Sequence, residues 1–245
     1  MKKDAIITGA NRGIGKAIVE RFAKAGYNIW ACARTENKEF ENELERISER
    51  KQIIIKPIYF DCTDSQQMKK AVKSILSEKK PIDVLVNCAG VAHGGFFQMT
   101  SIETIKRVFD VNFFSMLELT QMVLRPMIRQ KSGSIINLAS ISGMDSRAGN
   151  CAYGTSKAAV ISWTKTLASE LGELGIRVNA IAPGLTDTNM AKQMEEKAGM
   201  EMISNSVMNR LVRPEEIANI AVFLASDEAS IINGQIIRAD GGSRK

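Results

Sequence analysis

A short apolar run, Asp4-Ala5-Ile6-Ile7-Thr8, leads directly into Gly9-Ala10-Asn11-Arg12-Gly13-Ile14-Gly15. Ala17, Ile18, Phe22 and Ala25 then recur at helical spacing up to Gly26. The order is strand, glycine turn, helix, the opening unit of an α/β fold. Glycines at such a turn let the backbone bend sharply and approach a pyrophosphate, with the helix N-terminus facing the anion. The spacing is G-x-x-x-G-x-G rather than G-x-G-x-x-G, so taken alone the turn fits an ordinary strand-to-helix connection equally well.

The alternation continues along the chain. Residues 28–33, 52–60, 82–86, 133–139, 176–181 and 235–239 read as further strands. Helical spacing covers 39–50, 102–128, 153–174 and 214–225, and Asp64 caps a helix that runs through Ser77 before Pro81 breaks it. Strands alternating with helices in this way predict a doubly wound parallel sheet with helices on both faces. Residues 189–209 hold Met190, Met194, Met200, Met202 and Met208. Flexible methionines fit irregular apolar groups, so this stretch reads either as a helix pair packed on the body or as a substrate lid at about 186–210.

With 245 residues, 44% of them apolar, the chain can bury one large core, and it carries no repeat or low-complexity tract that would divide it. Only Ala5-Ile6-Ile7 separates the first lysines from Thr8-Gly9, too short for the apolar part of a signal peptide. No apolar run approaches the roughly 20 residues that cross a bilayer. Cys32, Cys62, Cys88 and Cys151 show no paired spacing, which predicts reduced thiols rather than a disulfide frame or a metal site. A cytoplasmic protein without membrane segment is the expectation. The net charge of +6 comes with no nucleic-acid motif. It suits an anionic cofactor or an acidic carrier.

Several polar residues fall where open α/β sheets place their chemistry, beyond the carboxyl ends of strands. The second strand ends at Arg34, about 20 residues past the glycine turn, where NAD-binding folds use an acidic residue on the ribose. Arg34 and Arg12 together predict NADPH, because guanidiniums hold a 2′-phosphate; Glu36 stands close enough on a short loop to reach the ribose instead. Asn87-Cys88-Ala89-Gly90 follows the fourth strand and Ser140 the fifth. Asn112 lies among Val108, Phe109, Val111, Phe113 and Phe114 and must find polar partners. Tyr153 and Lys157 stand four apart on a helix and so share a face. A cation there lowers a phenol pKa and makes an acid/base pair. Ser140 adds a hydroxyl for a carbonyl oxygen. His93, the only histidine, reads as incidental.

These motifs, taken in order and spacing, resemble the short-chain dehydrogenase/reductase family from end to end: Thr8-Gly9-x-x-x-Gly13-Ile14-Gly15, Asn87-Cys88-Ala89-Gly90, Asn112, Ser140, Tyr153-x-x-x-Lys157 and Pro183-Gly184. The resemblance implies one Rossmann domain over 1–245 with a seven-stranded parallel sheet, and a homotetramer. It implies that Tyr153 exchanges the proton and Ser140 orients the carbonyl. Lys157 would tune the tyrosine and bind ribose, and Asn112 would hold a relay water. Cofactor contacts would fall on Gly9, Asn11, Arg12, Gly13, Ile14 and Gly15, on Arg34, Asp61 and Cys62, on Asn87, Ala89 and Gly90, on Tyr153 and Lys157, and on Pro183, Gly184, Thr186 and Thr188. No metal is implied. Family members have a second Asn where this chain has Cys88.

Within the family, chain length, the Arg12 turn and Arg125-Pro126-Met127-Ile128-Arg129 resemble the 3-oxoacyl-[acyl-carrier-protein] reductases. Those enzymes present a basic residue late in the Tyr-Lys helix, where this chain has Leu171-Gly172-Glu173-Leu174. The implied activity is NADPH-dependent reduction of a 3-oxoacyl thioester on acyl carrier protein or CoA. A sugar or polyol reductase is the alternative. A cofactor-sensing protein without catalysis is a third, and its expected mark, loss of the tyrosine or lysine, is absent from this sequence.

Overall fold

The computed structural model describes residues 2–189, 203–204 and 206–242. Seven strands form one parallel sheet: β1 (Asp4–Thr8), β2 (Asn28–Ala33), β3 (Ile55–Tyr59), β4 (Val84–Asn87), β5 (Gly133–Leu138), β6 (Ile176–Pro183) and β7 (Ile236–Ala239). Their order across the sheet is β3-β2-β1-β4-β5-β6-β7. The chain therefore winds outward from β1 in one direction and restarts at β4 in the other. Ligand crevices of open α/β sheets form at such a reversal.

Both faces of the sheet are covered, which is why β1 and β4 are buried along their whole length instead of alternating. On one face, α1 (Gly13–Lys24), α2 (Lys38–Lys51) and α7 (Pro214–Ala225) bury Ile18, Phe22, Leu44, Ile217 and Leu224 against Ile7, Val86 and Ile136. On the other, α3 (Ser65–Ser77), α5 (Ser115–Gln130) and α6 (Cys151–Leu171) bury Met68, Val72, Val123, Met127 and Leu167 against Ile6, Leu85 and Ile135. The doubly wound architecture read from the sequence is thus the one observed.

Two element readings change. The continuous helix expected over 102–128 is divided into α4 (Ile102–Phe109), a π-helical turn at Asp110–Phe114, and α5. Asn112 occupies that turn and is fully buried. The Tyr-Lys helix begins at Cys151, two residues before Tyr153, and ends at Leu171 in a 3-10 turn over Gly172–Leu174. Most of the lid expected at about 186–210, including Met190, Met194, Met200 and Met202, lies outside the described residues.

Candidate active site

The loop from β1 to α1 forms a cradle at the reversal point. Gly9 has φ +66, and a Cβ there would lie 3.1 Å from Ala89 Cα. A Cβ on Gly15 would lie 2.0 Å from the Gly9 carbonyl oxygen, so neither position accepts a side chain. Gly13, at φ +54, sits against Thr188. Thr8 Oγ1 accepts from the backbone N–H groups of Cys88 and Ala89 at 2.9 and 3.0 Å, locking the ends of β1 and β4 together.

The first turn of α1 differs from those of its neighbours. Side chains of Asn37, Asp64 and Ser101 cap α2, α3 and α4. No side chain caps α1, and its first turn holds no acidic residue. The N–H groups at a helix start need partners and favour an anion. An open N-terminus behind a glycine cradle fits a pyrophosphate.

The other residues expected at a cofactor line the same carboxyl edge. Arg34 follows β2 and is exposed, as are Asn11 and Arg12 in the glycine turn. Asp61 follows β3. Hydrogen bonds from the Thr63 backbone and hydroxyl hold its carboxyl below the usual range, with the Arg34 charge adding to the effect. Cys62 is half-buried, its thiol pushed up by burial. Pro183 ends β6, and Gly184 packs on Asp240. Thr186 is buried and donates to the Gly184 carbonyl. Asn87 donates its amide nitrogen inward, to Thr120 and Asn137, and its Oδ1 is buried without a protein partner among the described residues.

Catalytic candidates meet where β4, β5 and α6 converge. Ser140 follows β5 and opens a 3-10 turn, its Oγ accepting from Ser142 N at 3.1 Å. That turn packs on α6 through two glycines: Cβ atoms on Gly143 and Gly154 would lie 2.6 Å from Lys157 C and 2.8 Å from Ser142 O. Only bare backbone permits this approach, and it brings Ser140 into hydrogen-bonding range of Tyr153. Lys157 Nζ donates to the Leu138 carbonyl at 2.7 Å and lies 5.9 Å from the centre of the Tyr153 ring.

Asn112 closes the group. Its amide exchanges two hydrogen bonds with the Val91 backbone, at 2.8 and 2.9 Å, and donates to Ser156 Oγ at 3.1 Å. The π-turn supplies the extra residue that points this side chain inward. A Cβ on Gly90 would lie 3.2 Å from Asn112 Oδ1 and 3.6 Å from Lys157 Nζ, so all three share one small space.

Electrostatics depart from the sequence expectation. Burial pushes the Tyr153 phenol above its ordinary value, and the bond with Ser140 offsets only part of that. Burial also lowers Lys157, to about 8. Cys88, pushed up to about 12, stays a neutral thiol and gives Lys157 no counter-charge. Desolvation is the largest influence on both groups because both sit in low dielectric. The phenol is therefore protonated at neutral pH, the form a proton donor needs.

Sequence reasoning missed Ser156, Asn137 and the Leu138 carbonyl. Asn137 was detectable, as the one amide inside the apolar strand Ser134-Ile135-Ile136-Asn137-Leu138. His93 lies 3.4 Å from Thr100 Oγ1 on a loop and joins none of the groups above. Among the described residues there is no cluster of potential metal ligands, and no helix is long and apolar enough to cross a membrane.

Residues 9–244 match the family model described as enoyl-(acyl carrier protein) reductase. The 3-oxoacyl-[acyl-carrier-protein] reductase FabG of Thermotoga maritima is 39% identical over 240 residues, covering 98% of this chain and 97% of that protein. Among solved structures, a variant actinorhodin polyketide ketoreductase with NADPH superposes with a TM-score of 0.90 at 28% identity, over 98% of this chain and 97% of the other. One assigned as an NAD(P)-dependent gluconate 5-dehydrogenase from Beutenbergia cavernae, with bound NADP, gives 0.90 at 31%, over 98% and 96%. Similarity that spans nearly the whole of each chain, on this sheet order and around this site, means that the chain belongs to the short-chain dehydrogenase/reductase family of oxidoreductases.

Proposed function

We propose that this oxidoreductase uses NADPH to reduce the ketone of a 3-oxoacyl thioester, carried by acyl carrier protein or CoA, to the 3-hydroxyacyl product. The observation that carries the reading is the convergence of Ser140, Tyr153, Lys157 and Asn112 beside a helix start with no side-chain cap and no acidic residue in its first turn, which suits an anion. Full-length similarity to a 3-oxoacyl-[acyl-carrier-protein] reductase at 39% identity supports the substrate class. A ketoreductase and a dehydrogenase of the same fold, bound to NADPH and NADP respectively, support the cofactor. So does the absence of a carboxylate at the end of β2, where Arg34 stands.

In this reading the glycine cradle and the start of α1 hold the pyrophosphate. Arg12 and Arg34 hold the 2′-phosphate, Asp61 meets the adenine, and the segment from Pro183 to Thr188 meets the nicotinamide end. When bound, NADPH supplies a hydride to the carbonyl carbon. Ser140 donates a hydrogen bond to the carbonyl oxygen, and Tyr153 gives that oxygen its phenolic proton as charge builds there. Lys157, fixed by the Leu138 carbonyl, stabilises the phenolate left behind and reaches the nicotinamide ribose. Asn112 holds the Val91 backbone in place and orients the water that returns a proton to Tyr153.

The test is turnover followed by NADPH absorbance with acetoacetyl-CoA and acetoacetyl-acyl carrier protein, against a panel of keto-sugars and sugar acids. Thioester reduction with the panel inert is the expected result. Turnover confined to the panel would replace the acyl substrate with a sugar one, a reading favoured by the gluconate 5-dehydrogenase likeness.

A further inference from the structure

We propose that Arg238 is a positioning residue beside the active site: by bridging Asp145 and Asp240 it fixes the wall next to Ser140 relative to the end of the sheet, and thereby sets affinity for the ketone more than for the cofactor. The role in affinity rests on the oxidoreductase reading above; the bridge is independent of which ketone is the substrate.

Arg238 sits on β7, in register with Ala182 of β6. Its guanidinium forks onto Asp145, with Nη1 to Oδ1 at 3.1 Å and Nη2 to Oδ2 at 2.7 Å. Its Nε donates to Asp240 Oδ2 at 2.6 Å. Side-chain exposures of 27%, 17% and 9% for Arg238, Asp145 and Asp240 separate this triad from the exposed ion pairs that contribute little. Paired, partly shielded and bidentate charges are the ones that impose geometry.

Each carboxylate leads to a different wall of one cleft. Asp145 hangs from the turn that begins at Ser140, its N–H bonded to the Ile141 carbonyl at 2.8 Å. Asp240 packs on Gly184, where a Cβ would lie 2.7 Å from the Asp240 Cβ. Its carbonyl accepts from Ser206 Oγ at 3.0 Å, and Val207 and Met208 N–H bond the carbonyls of Gly242 and Gly241, both at 3.1 Å. Ile141, Gly184, Leu185 and Ser206 all line that cleft, as does Arg238 itself. None of these residues belongs to the glycine turn or to the ends of β1, β2 and β3, where the reading above puts the pyrophosphate, 2′-phosphate and adenine; Gly184 and Leu185 belong to the segment assigned there to the nicotinamide end.

Arg238→Met, Asp145→Asn and the double variant decide the matter in the full-length protein. The readouts are ketone KM, kcat, the NADPH dissociation constant, and hydrogen exchange in residues 141–149. Each single change is expected to raise KM for acetoacetyl-CoA about ten-fold with NADPH binding held within about two-fold. The double variant should be no worse than the worse single one, because both remove one bridge. Arg238→Lys should recover part of the KM. Exchange in 141–149 should quicken in both singles while residues 9–34 stay unchanged. Unchanged KM, equal loss of NADPH affinity, or multiplying effects in the double would each overturn the proposal. If Arg238→Met does not fold, Asp145→Asn, which leaves the Asp240 bond, decides by the same criteria. A parent inert toward 3-oxoacyl thioesters would sink the substrate reading instead; KM is then read with the panel carbonyl the parent reduces, and unchanged exchange in 141–149 alone overturns the bridge.

Discussion

Replacing Lys157 with methionine should abolish turnover and yet stabilise the protein. Lys157 is 4% exposed, and its Nζ donates to the Leu138 carbonyl. Burial holds its ammonium down to about 8, against an ordinary value of 10.5. At neutral pH both folded and unfolded chains carry the proton, so the fold bears the whole desolvation cost, about 3 kcal/mol. Methionine fills similar space and carries no charge, but it forfeits the bond to Leu138, worth about 1 kcal/mol. The net gain is about 2 kcal/mol, or about 4 °C in Tm for a chain of this length. The sign reverses with pH in a defined window. Between pH 8 and 10.5 the unfolded parent binds more protons than the folded one, so its stability climbs with pH. The variant lacks that climb, and its advantage should fade across the same interval. Urea unfolding of cofactor-free protein at pH 7 and pH 10 measures both values. A variant less stable than the parent at pH 7, or a difference unchanged at pH 10, would refute the reasoning.

Three further outcomes test other links. Tyr153→Phe should lower kcat by about 10²–10⁴ while fluorescence titration shows NADPH binding unchanged; parental turnover would remove the proton-donor role. Arg34→Asp should reverse the preference between NADPH and NADH, since a carboxylate repels the 2′-phosphate and accepts from a ribose hydroxyl; dissociation constants for both cofactors decide it, and tighter NADH binding by the parent would end the argument. Phe114 is 54% exposed beside Phe109 and Phe113, with Trp163 of α6 edge-on to Phe113. An apolar face on these two helices fits a tetramer, so light scattering should give a mass near four chains and Phe114→Asp a smaller one; a monomeric parent would exclude it.

The sheet was legible because its strands are apolar on both faces and glycine or a cap marks most junctions. The π-turn was not. Val108, Phe109, Val111, Phe113 and Phe114 satisfy a helical period whether or not one extra residue is inserted. What holds the insertion is the Asn112 bond pair with the backbone of Val91, a partner that no local pattern displays. The expected direction of the Tyr153 pKa shift differed for a related reason. Spacing shows that a cation is near, but not that both groups are dehydrated, and dehydration is the larger effect here. The bridge from Arg238 to Asp145 spans 93 positions and leaves no trace in the sequence.

One buried feature joins the fold to the site. Asn87 of β4 donates to Thr120 of α5 at 3.1 Å and to Asn137 of β5 at 2.9 Å. Asn137 in turn donates to Thr164 of α6 at 2.9 Å. The chain of bonds thus runs from the helix that follows Asn112 to the helix that carries Tyr153 and Lys157. Amides are costly inside a protein unless paired, and in low dielectric the paired state is strongly preferred. A slip of one residue in β5 would carry Asn137 to the opposite face, among the residues that now surround Ile136 and Leu138. The side chains clustered there are mainly apolar, and the amide would lose its bonds to Asn87 and Thr164. The same slip would displace the Leu138 carbonyl that anchors Lys157 and the Ser140 that follows it. Register and chemistry are therefore guarded by the same two amides, and a sheet built without them would be free to set Ser140 one place away from Tyr153.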